Sequence, residues 1–270
     1  PRPRAADGSS SLVLWLNGSN GTSTTTDGAT LSGWTDLSGY VNDASQGSGG
    51  RQPLFYSTTF HINNYPVIRF DGDLTASGAN GDRLEIADAA NLDNSSELTI
   101  FTILRPTTLD GNPRGTISKR TSSGSQEAYS QFFYTSNYLN VDIATNGRQT
   151  SSTTAFSTGT SYLTSTVYSN PNFSLYSNGA LTKSAASLST SIPNSSAGLF
   201  LGQLQGNNSG YFAGDLAEVL VYTEALNSVE RVLIENALAS KYNLTISNDK
   251  FAFEGTHGSD IYGIGQESDG

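Results

Sequence analysis

Gly214-Asp-Leu-Ala-Glu-Val-Leu-Val-Tyr222 and the segment after it decide the fold. Period-two alternation puts Leu216, Glu218, Leu220 and Tyr222 on one face, so Asp215 to Tyr222 reads as a strand with one carboxylate among apolar neighbours. A change of period follows. Asn227 is placed to cap a helix with Glu230 three residues on, and Val229, Val232, Leu233, Ala237 and Ser240 recur at helical spacing until Tyr242-Asn243. This predicts a single helix of about four turns near Ser228 to Lys241.

Upstream of that helix the chain reads as strand after strand. Leu12-Val-Leu-Trp-Leu16 is a short apolar run bounded by Ser and Asn-Gly, the pattern of a buried strand. Asn17 to Gly50 is loop chemistry interrupted by Leu31 and Trp34. Strands are then predicted over Val67 to Phe70, Arg83 to Ile86, Leu98 to Leu104, Gly115 to Lys119, Tyr129 to Tyr134, Tyr138 to Ile143, Tyr162 to Tyr168, Phe173 to Tyr176 and Leu199 to Gln203. Asn178-Gly179 between two strand-like runs predicts a type I′ hairpin, since both central residues of that turn need φ > 0. The sum is an all-β fold, a two-sheet antiparallel β-sandwich or jelly roll with one C-terminal helix packed outside it. Residues 1–11 read as a linker, 12–246 as the domain, and 247–270 as a linker and the start of a following segment.

Composition narrows the function classes. Of 270 residues only 14% are charged, whereas Ser and Thr make up about a quarter, so hydroxyls replace much of the usual charged surface. With 24 acidic against 14 basic residues the net charge is -10, which repels a phosphate backbone and argues against nucleic acid as a partner. No run of 18 or more apolar residues exists to cross a membrane as a helix, and the start at Pro1 lacks the basic and apolar regions of an export signal. Zero Cys excludes disulfides and thiolate chemistry. An acidic, sulfur-free, Ser/Thr/Asn-rich chain suits an exported bacterial surface protein. The seven Asn-x-Ser/Thr triplets, beginning with Asn17, are what so much Asn, Ser and Thr yields by chance.

Four segments carry a family resemblance: Trp34-Thr-Asp-Leu-Ser-Gly-Tyr-Val-Asn-Asp-Ala-Ser-Gln46, Pro66-Val-Ile-Arg-Phe-Asp-Gly72, Asp82-Arg-Leu-Glu-Ile86, and Gly214 to Tyr222 with the helix ending Ala239-Ser-Lys-Tyr242. In order and spacing they resemble the laminin-G-like, concanavalin A-like jelly-roll domains of bacterial surface proteins. The similarity runs from about Leu12 to Leu244 and implies two curved antiparallel sheets. Where the family pattern has Gly-Asn, this chain has Tyr40-Val41. The tail from Phe251 to Gly270 is similar to a segment that follows this domain in some large bacterial surface proteins.

Catalytic motifs are missing. His61, in a polar loop, and His257, in the Gly-rich tail, are the only histidines, and neither sits in a His-Glu-x-x-His or triad context. Glycoside hydrolysis needs two carboxylates about 5 to 9.5 Å apart. The resemblance to glucanases of this fold would place them on one strand as Glu-x-Asp-x-x-Glu, and no such string occurs; Tyr138 to Ile143 carries only Asp142.

That same strand is the best binding candidate. Leu139, Val141 and Ile143 form its core face, so Tyr138, Asn140 and Asp142 face the other way, an aromatic plane beside an amide and a carboxylate. Such groups stack a sugar ring and bind its hydroxyls, and Gln131 and Tyr134 extend the surface. The bland reading of the same strand is an ordinary polar outer face.

Metal is the second question. Asp71 and Asp73 flank Gly72, and Asp82 follows a second Gly-rich turn, so hard oxygen ligands converge as Ca²⁺ requires, although Asp-Gly pairs are also plain turn formers. Glu218, a carboxylate on an apolar face, needs a cation or hydrogen-bond donors beside it. The resemblance implies a structural calcium there; the alternative is an Arg or backbone N–H groups. Asp36, Ser38, Asn42 and Asp43 read as side chains that hold a tight loop, with Trp34 as its anchor. Together these readings predict a non-catalytic, extracellular binding module within a larger chain, monomeric, whose partner is a glycan or other surface ligand. A spacer without a ligand and a glycoside hydrolase are the alternatives.

Overall fold

The computed structural model describes residues 11–72, 81–93, 96–121, 127–144, 147–151, 154–186, 191–205 and 209–250. In chain order its strands are β1 (Leu12–Asn17), β2 (Gly33–Trp34), β3 (Ala44–Ser45), β4 (Leu54–Ile62), β5 (Tyr65–Asp71), β6 (Leu84–Ile86), β7 (Glu97–Pro106), β8 (Arg114–Lys119) and β9 (Tyr129–Tyr134). They continue as β10 (Tyr138–Ile143), β11 (Gln149–Thr150), β12 (Tyr162–Ser169), β13 (Asn172–Ser177), β14 (Ala180–Ala185), β15 (Leu199–Leu201), β16 (Gln203–Gln205), β17 (Ser209–Tyr211) and β18 (Ala213–Tyr222), and α1 (Ser228–Tyr242) closes the domain.

The strands form two sheets. The first runs β14-β13-β12-β7-β18-β5-β4, with β1 beside the C-terminal half of β18; the second runs β11-β10-β9-β8-β15-β6-β3-β2, with the β16–β17 hairpin joined to β8. Every pairing is antiparallel except the single contact between β17 and β8. Val13, Leu14, Leu16, Ile100, Leu104, Leu139, Val141 and Ile143 belong to one apolar layer between the sheets. A second apolar layer, with Phe101, Ile103, Leu163, Leu220, Ile234 and Leu238, lies between the first sheet and α1. The predicted sandwich with an external helix is therefore the observed fold. Among the described residues no helix is long and apolar enough to cross a membrane.

Local signals account for the ends of the elements. Asn227 Oδ1 accepts from Val229 N and Glu230 N, while Glu230 Oε2 accepts from Asn227 N, a complete capping box. The helix stops where Asn243 enters the left-handed region at φ 51°. Asn178 and Gly179 have φ 48° and 71°, as the type I′ hairpin requires. Leu54–Ile62, not predicted as a strand, is an edge strand with an irregular register between Tyr56 and His61. His61 consequently lies on a strand and not in a polar loop, and its Nδ1 accepts from Asn64 N at 2.9 Å. The predicted run Leu199 to Gln203 is two strands, because Gly202 at φ 78° breaks it.

The strand from Asp215 to Tyr222 departs from simple alternation. Its register shifts between Leu216, which pairs with Leu104, and Glu218, which pairs with Ile103. The extra residue turns Leu216 toward the layer between the sheets and leaves Glu218, Leu220 and Tyr222 facing the helix. Expected to share one face, these four residues divide between two.

Candidate functional site

Strands β9 and β10 hold the predicted binding residues in register: Tyr138 opposite Tyr134, Asn140 opposite Phe132, Val141 opposite Gln131, and Asp142 opposite Ser130. Directly opposed residues share a face, so Tyr134, Tyr138, Asn140 and Asp142 lie together on the outer face of the second sheet. Gln131 does not. It pairs with Val141 on the face toward the first sheet, where its Nε2 donates to Thr102 Oγ1 at 3.0 Å and Thr164 Oγ1 at 3.1 Å across the sandwich. Period two links Gln131 to Tyr129 and Phe133 on the inner face, so it does not extend the outer surface as expected from the sequence. Its amide satisfies buried Thr hydroxyls and is closed to any ligand.

The outer face is more enclosed than an ordinary polar surface. Asn140 and Asp142 are each 3% exposed, while Tyr134 and Tyr138 are half-buried at its end. Asp142 takes a bidentate pair of bonds from Arg148, at 2.8 and 3.0 Å, and a third from Arg120 Nη1 at 3.0 Å. Arg120 also binds Glu127. Both guanidinium groups lie over the Phe132 ring, 5.6 Å and 5.3 Å from its centroid. The bond to Asp142 pushes the Arg148 pKa up further, although its side chain is 49% exposed. Asn140 Oδ1 accepts from Thr150 Oγ1 at 2.6 Å, and Ser130 Oγ, buried opposite Asp142, has no hydrogen-bond partner.

Arg120, Glu127, Phe132 and Arg148 were not among the predicted site residues. Arg120 follows Ser118 at period two and so continues the outer face of β8, the one local signal available. Glu127 and Arg148 lie outside the β9 and β10 strands and reach this face only through the tertiary fold.

Glu218 is 3% exposed and surrounded by donors. Trp15 Nε1 donates to its Oε1 at 2.7 Å, while Lys241 Nζ and Tyr242 Oη donate to its Oε2 at 2.6 and 2.8 Å. Asn17 Nδ2 lies at 3.5 Å. The cation beside Glu218 is thus a lysine ammonium from α1, and the expected Arg or backbone partners are replaced by side chains from β1 and the helix. Burial, and after it the Glu218 carboxylate, pushes the Tyr242 phenol far above its usual range and keeps it a donor.

The acidic turn forms a separate feature. Asp82 Oδ2 accepts from Asp71 N at 3.0 Å, and Asp71 Oδ1 accepts from Asp82 N at 3.2 Å. Asp71 pairs with Ala213, five residues along β18 from Glu218, a separation of about 16 Å at the rise of a strand. Glu218 and the Asp71–Asp82 pair therefore cannot ligate one ion. Asp73 and His257 lie outside the described residues. Among the described residues no group of three or more His, Asp or Glu side chains is disposed to hold a metal.

The Trp34 loop is built as expected. Asp36 Oδ1 accepts from Trp15 N and Ser38 N, its Oδ2 accepts from Ser38 Oγ and Asn42 N, and Asp43 Oδ1 accepts from Asp36 N. Trp34 is buried, and its Nε1 donates to Asn17 O at 3.0 Å.

The family model for concanavalin A-like lectins and glucanases of the laminin G type matches residues 77–230, more than half of the sequence. The chain belongs to this superfamily. Among solved structures it is similar to the binding domain of Paraclostridial Mosquitocidal Protein 1, with a TM-score of 0.60 and 18% identity over 84% of this chain and 52% of that one. The botulinum neurotoxin serotype G binding domain gives 0.60 and 15% over 85% and 51%. Domain 4 of AbnA, a GH43 extracellular arabinanase from Geobacillus stearothermophilus solved with arabinotriose, gives 0.56 and 13% over 81% of this chain and 95% of that one. At these identities the likeness establishes the fold. The chain spans about half the length of the two toxin domains. No curated protein sequence matches it.

Proposed function

We propose that the chain is a non-catalytic, carbohydrate-binding module of an exported bacterial surface or secreted protein, carried beside other domains. The observation that carries this reading is the cross-strand pair Tyr134 and Tyr138, half-buried on the outer face of the second sheet, with Arg148 reaching the surface beside Phe132. Two aromatic rings offer apolar faces to the C–H surface of a sugar, and a guanidinium offers fixed N–H donors to its hydroxyl or carboxylate oxygens. An arabinanase domain of almost the same extent, solved with arabinotriose, supports an oligosaccharide as the ligand class.

A glycan array probed with the intact chain, with and without calcium, tests the reading. Binding to a defined oligosaccharide should be lost in the Tyr134→Ala, Tyr138→Ala double variant while its melting curve stays in place. An array without a ligand, or binding unchanged in that variant, overturns it and favours a spacer. One observation favours the hydrolase alternative: Glu127 and Asp142 both bind Arg120. Each spends oxygens on guanidinium donors there. Release of reducing ends from β-glucan, abolished by Asp142→Asn, would establish the hydrolase in place of the binding module.

A further inference from the structure

Between α1 and the outer face of β1 and β18 lies a cavity of about 390 Å³, within the size range of small-molecule sites. Leu12 and Trp15 of β1, Leu220 and Tyr222 of β18, and Ile234 and Leu238 of α1 wall it, and Ala237 forms part of the helix side. Its charged lining is a single ion pair, Glu218 with Lys241. The helix packs on residues of β7, β12 and β18 in one apolar layer and leaves this gap where it passes over β1 and the C-terminal part of β18. None of the glycan-candidate residues reaches it, because those lie on the opposite sheet.

The two charges are not equivalent. The Glu218 side chain is 4% exposed and its oxygens already accept from Trp15, Lys241 and Tyr242, whereas the Lys241 side chain is 22% exposed. The Lys241 ammonium has three protons and makes one described hydrogen bond, to Glu218; it sits 5.1 Å and 4.9 Å from the ring centroids of Tyr65 and Tyr242. Lys241 lines the cavity and is the more exposed member of its ion pair. An entering ligand thus meets an apolar slot lined by one lysine ammonium, beside a carboxylate that is already satisfied.

We propose that this cavity is a second ligand site, which takes a single aliphatic chain bearing a terminal anion, the chemistry of a fatty acid. The chain would lie along Leu12, Leu220, Ile234 and Leu238, and its carboxylate would accept from Lys241 Nζ. Trp15 lines the slot and Trp34 is 1% exposed in the layer between the sheets, so the two tryptophans report separately on ligand entry.

Calorimetric titration of the intact chain with sodium dodecanoate tests the site, at physiological salt where a Debye length of ~8 Å screens the net charge of -10. One saturable site is expected, with a matching shift in tryptophan emission that Trp15→Phe abolishes. Dodecyltrimethylammonium, with the same tail and the opposite charge, should bind about tenfold more weakly. Ala237→Phe, at a half-buried helix position, places a ring in the slot and should weaken dodecanoate by about tenfold or more without moving the melting curve. Absence of saturation, equal affinity for the two amphiphiles, or undiminished binding by a folded Ala237→Phe each overturns the proposal. Should Ala237→Phe fail to fold, the comparison of the two amphiphiles on the wild-type chain decides.

Discussion

Val41 stands at φ 62°, the one β-branched side chain among the described residues held in the left-handed region. There its branched Cβ crowds the backbone, at a cost of order 1–3 kcal/mol. The residue is 75% exposed, so no burial offsets that strain. What holds it is the frame on either side: Asp36 and Ser38 clamp the loop before it, and Asn42, bonded to Val13 O at 2.7 Å, pins the loop after it. Asn tolerates this conformation far better. Val41→Asn should therefore raise stability by about 1 kcal/mol, read as a shift of the denaturation midpoint without a change in its slope. A midpoint that falls would mean that the valine makes a contact of value at the loop tip.

At the scale of elements, Glu218 ties three of them together. Its carboxylate receives Trp15 from β1 and Lys241 and Tyr242 from the last turn of α1, so the ion pair sets how the helix meets the edge of the sheet. Removing it strands an indole N–H and a buried phenol as well as a charge. Glu218→Ala should cost about 2–4 kcal/mol by chemical denaturation, more than truncation of an exposed carboxylate. Because Lys241 supplies the positive charge, chelator should leave the melting temperatures of the wild type and the variant where they are. A chelator effect on the wild type that disappears in Glu218→Ala would put a metal at this carboxylate after all. The β-bulge before Glu218 makes the arrangement possible, since one inserted residue turns the carboxylate to the helix while Leu216 stays in the sandwich.

For the molecule as a whole, acid should act through carboxylates that the fold holds ionised. Asp110 accepts a bidentate pair from the buried Arg114, at 3.0 and 2.9 Å, and this holds its carboxyl well below the ordinary 3.8. Asp27, half-buried, is lowered in the same direction by Thr59 Oγ1 and the backbone N–H groups of Thr58 and Ser57. A folded pKa below the unfolded one means that the stabilisation is present above about pH 4 and is lost as pH falls through the folded value. Stability should thus decline below about pH 4, and Asp110→Asn should flatten the decline while lowering stability at neutral pH. Equal slopes in the two proteins would show that Arg114 does not couple Asp110 to folding.

Sequence alone determined the class of fold, because the signals involved are local. Alternation, an Asn-Gly turn and a capping box each act within a few residues, and all of them agreed on strands followed by one helix. It also identified Glu218 as a carboxylate in need of a partner, and Tyr138, Asn140 and Asp142 as the outer face of their strand. Who those side chains meet was decided by tertiary structure. Lys241 lies 23 residues from Glu218, Trp15 lies 203 residues away, and Arg120 lies 22 residues from Asp142. No local period carries such separations. The same holds for faces: a one-residue bulge sent Leu216 and Glu218 to different layers, and Gln131 went inward because Thr102 and Thr164 on the other sheet satisfy its amide there. A local pattern specifies which residues face together; which face is buried, and against which partner, follows only when the second sheet and the helix arrive.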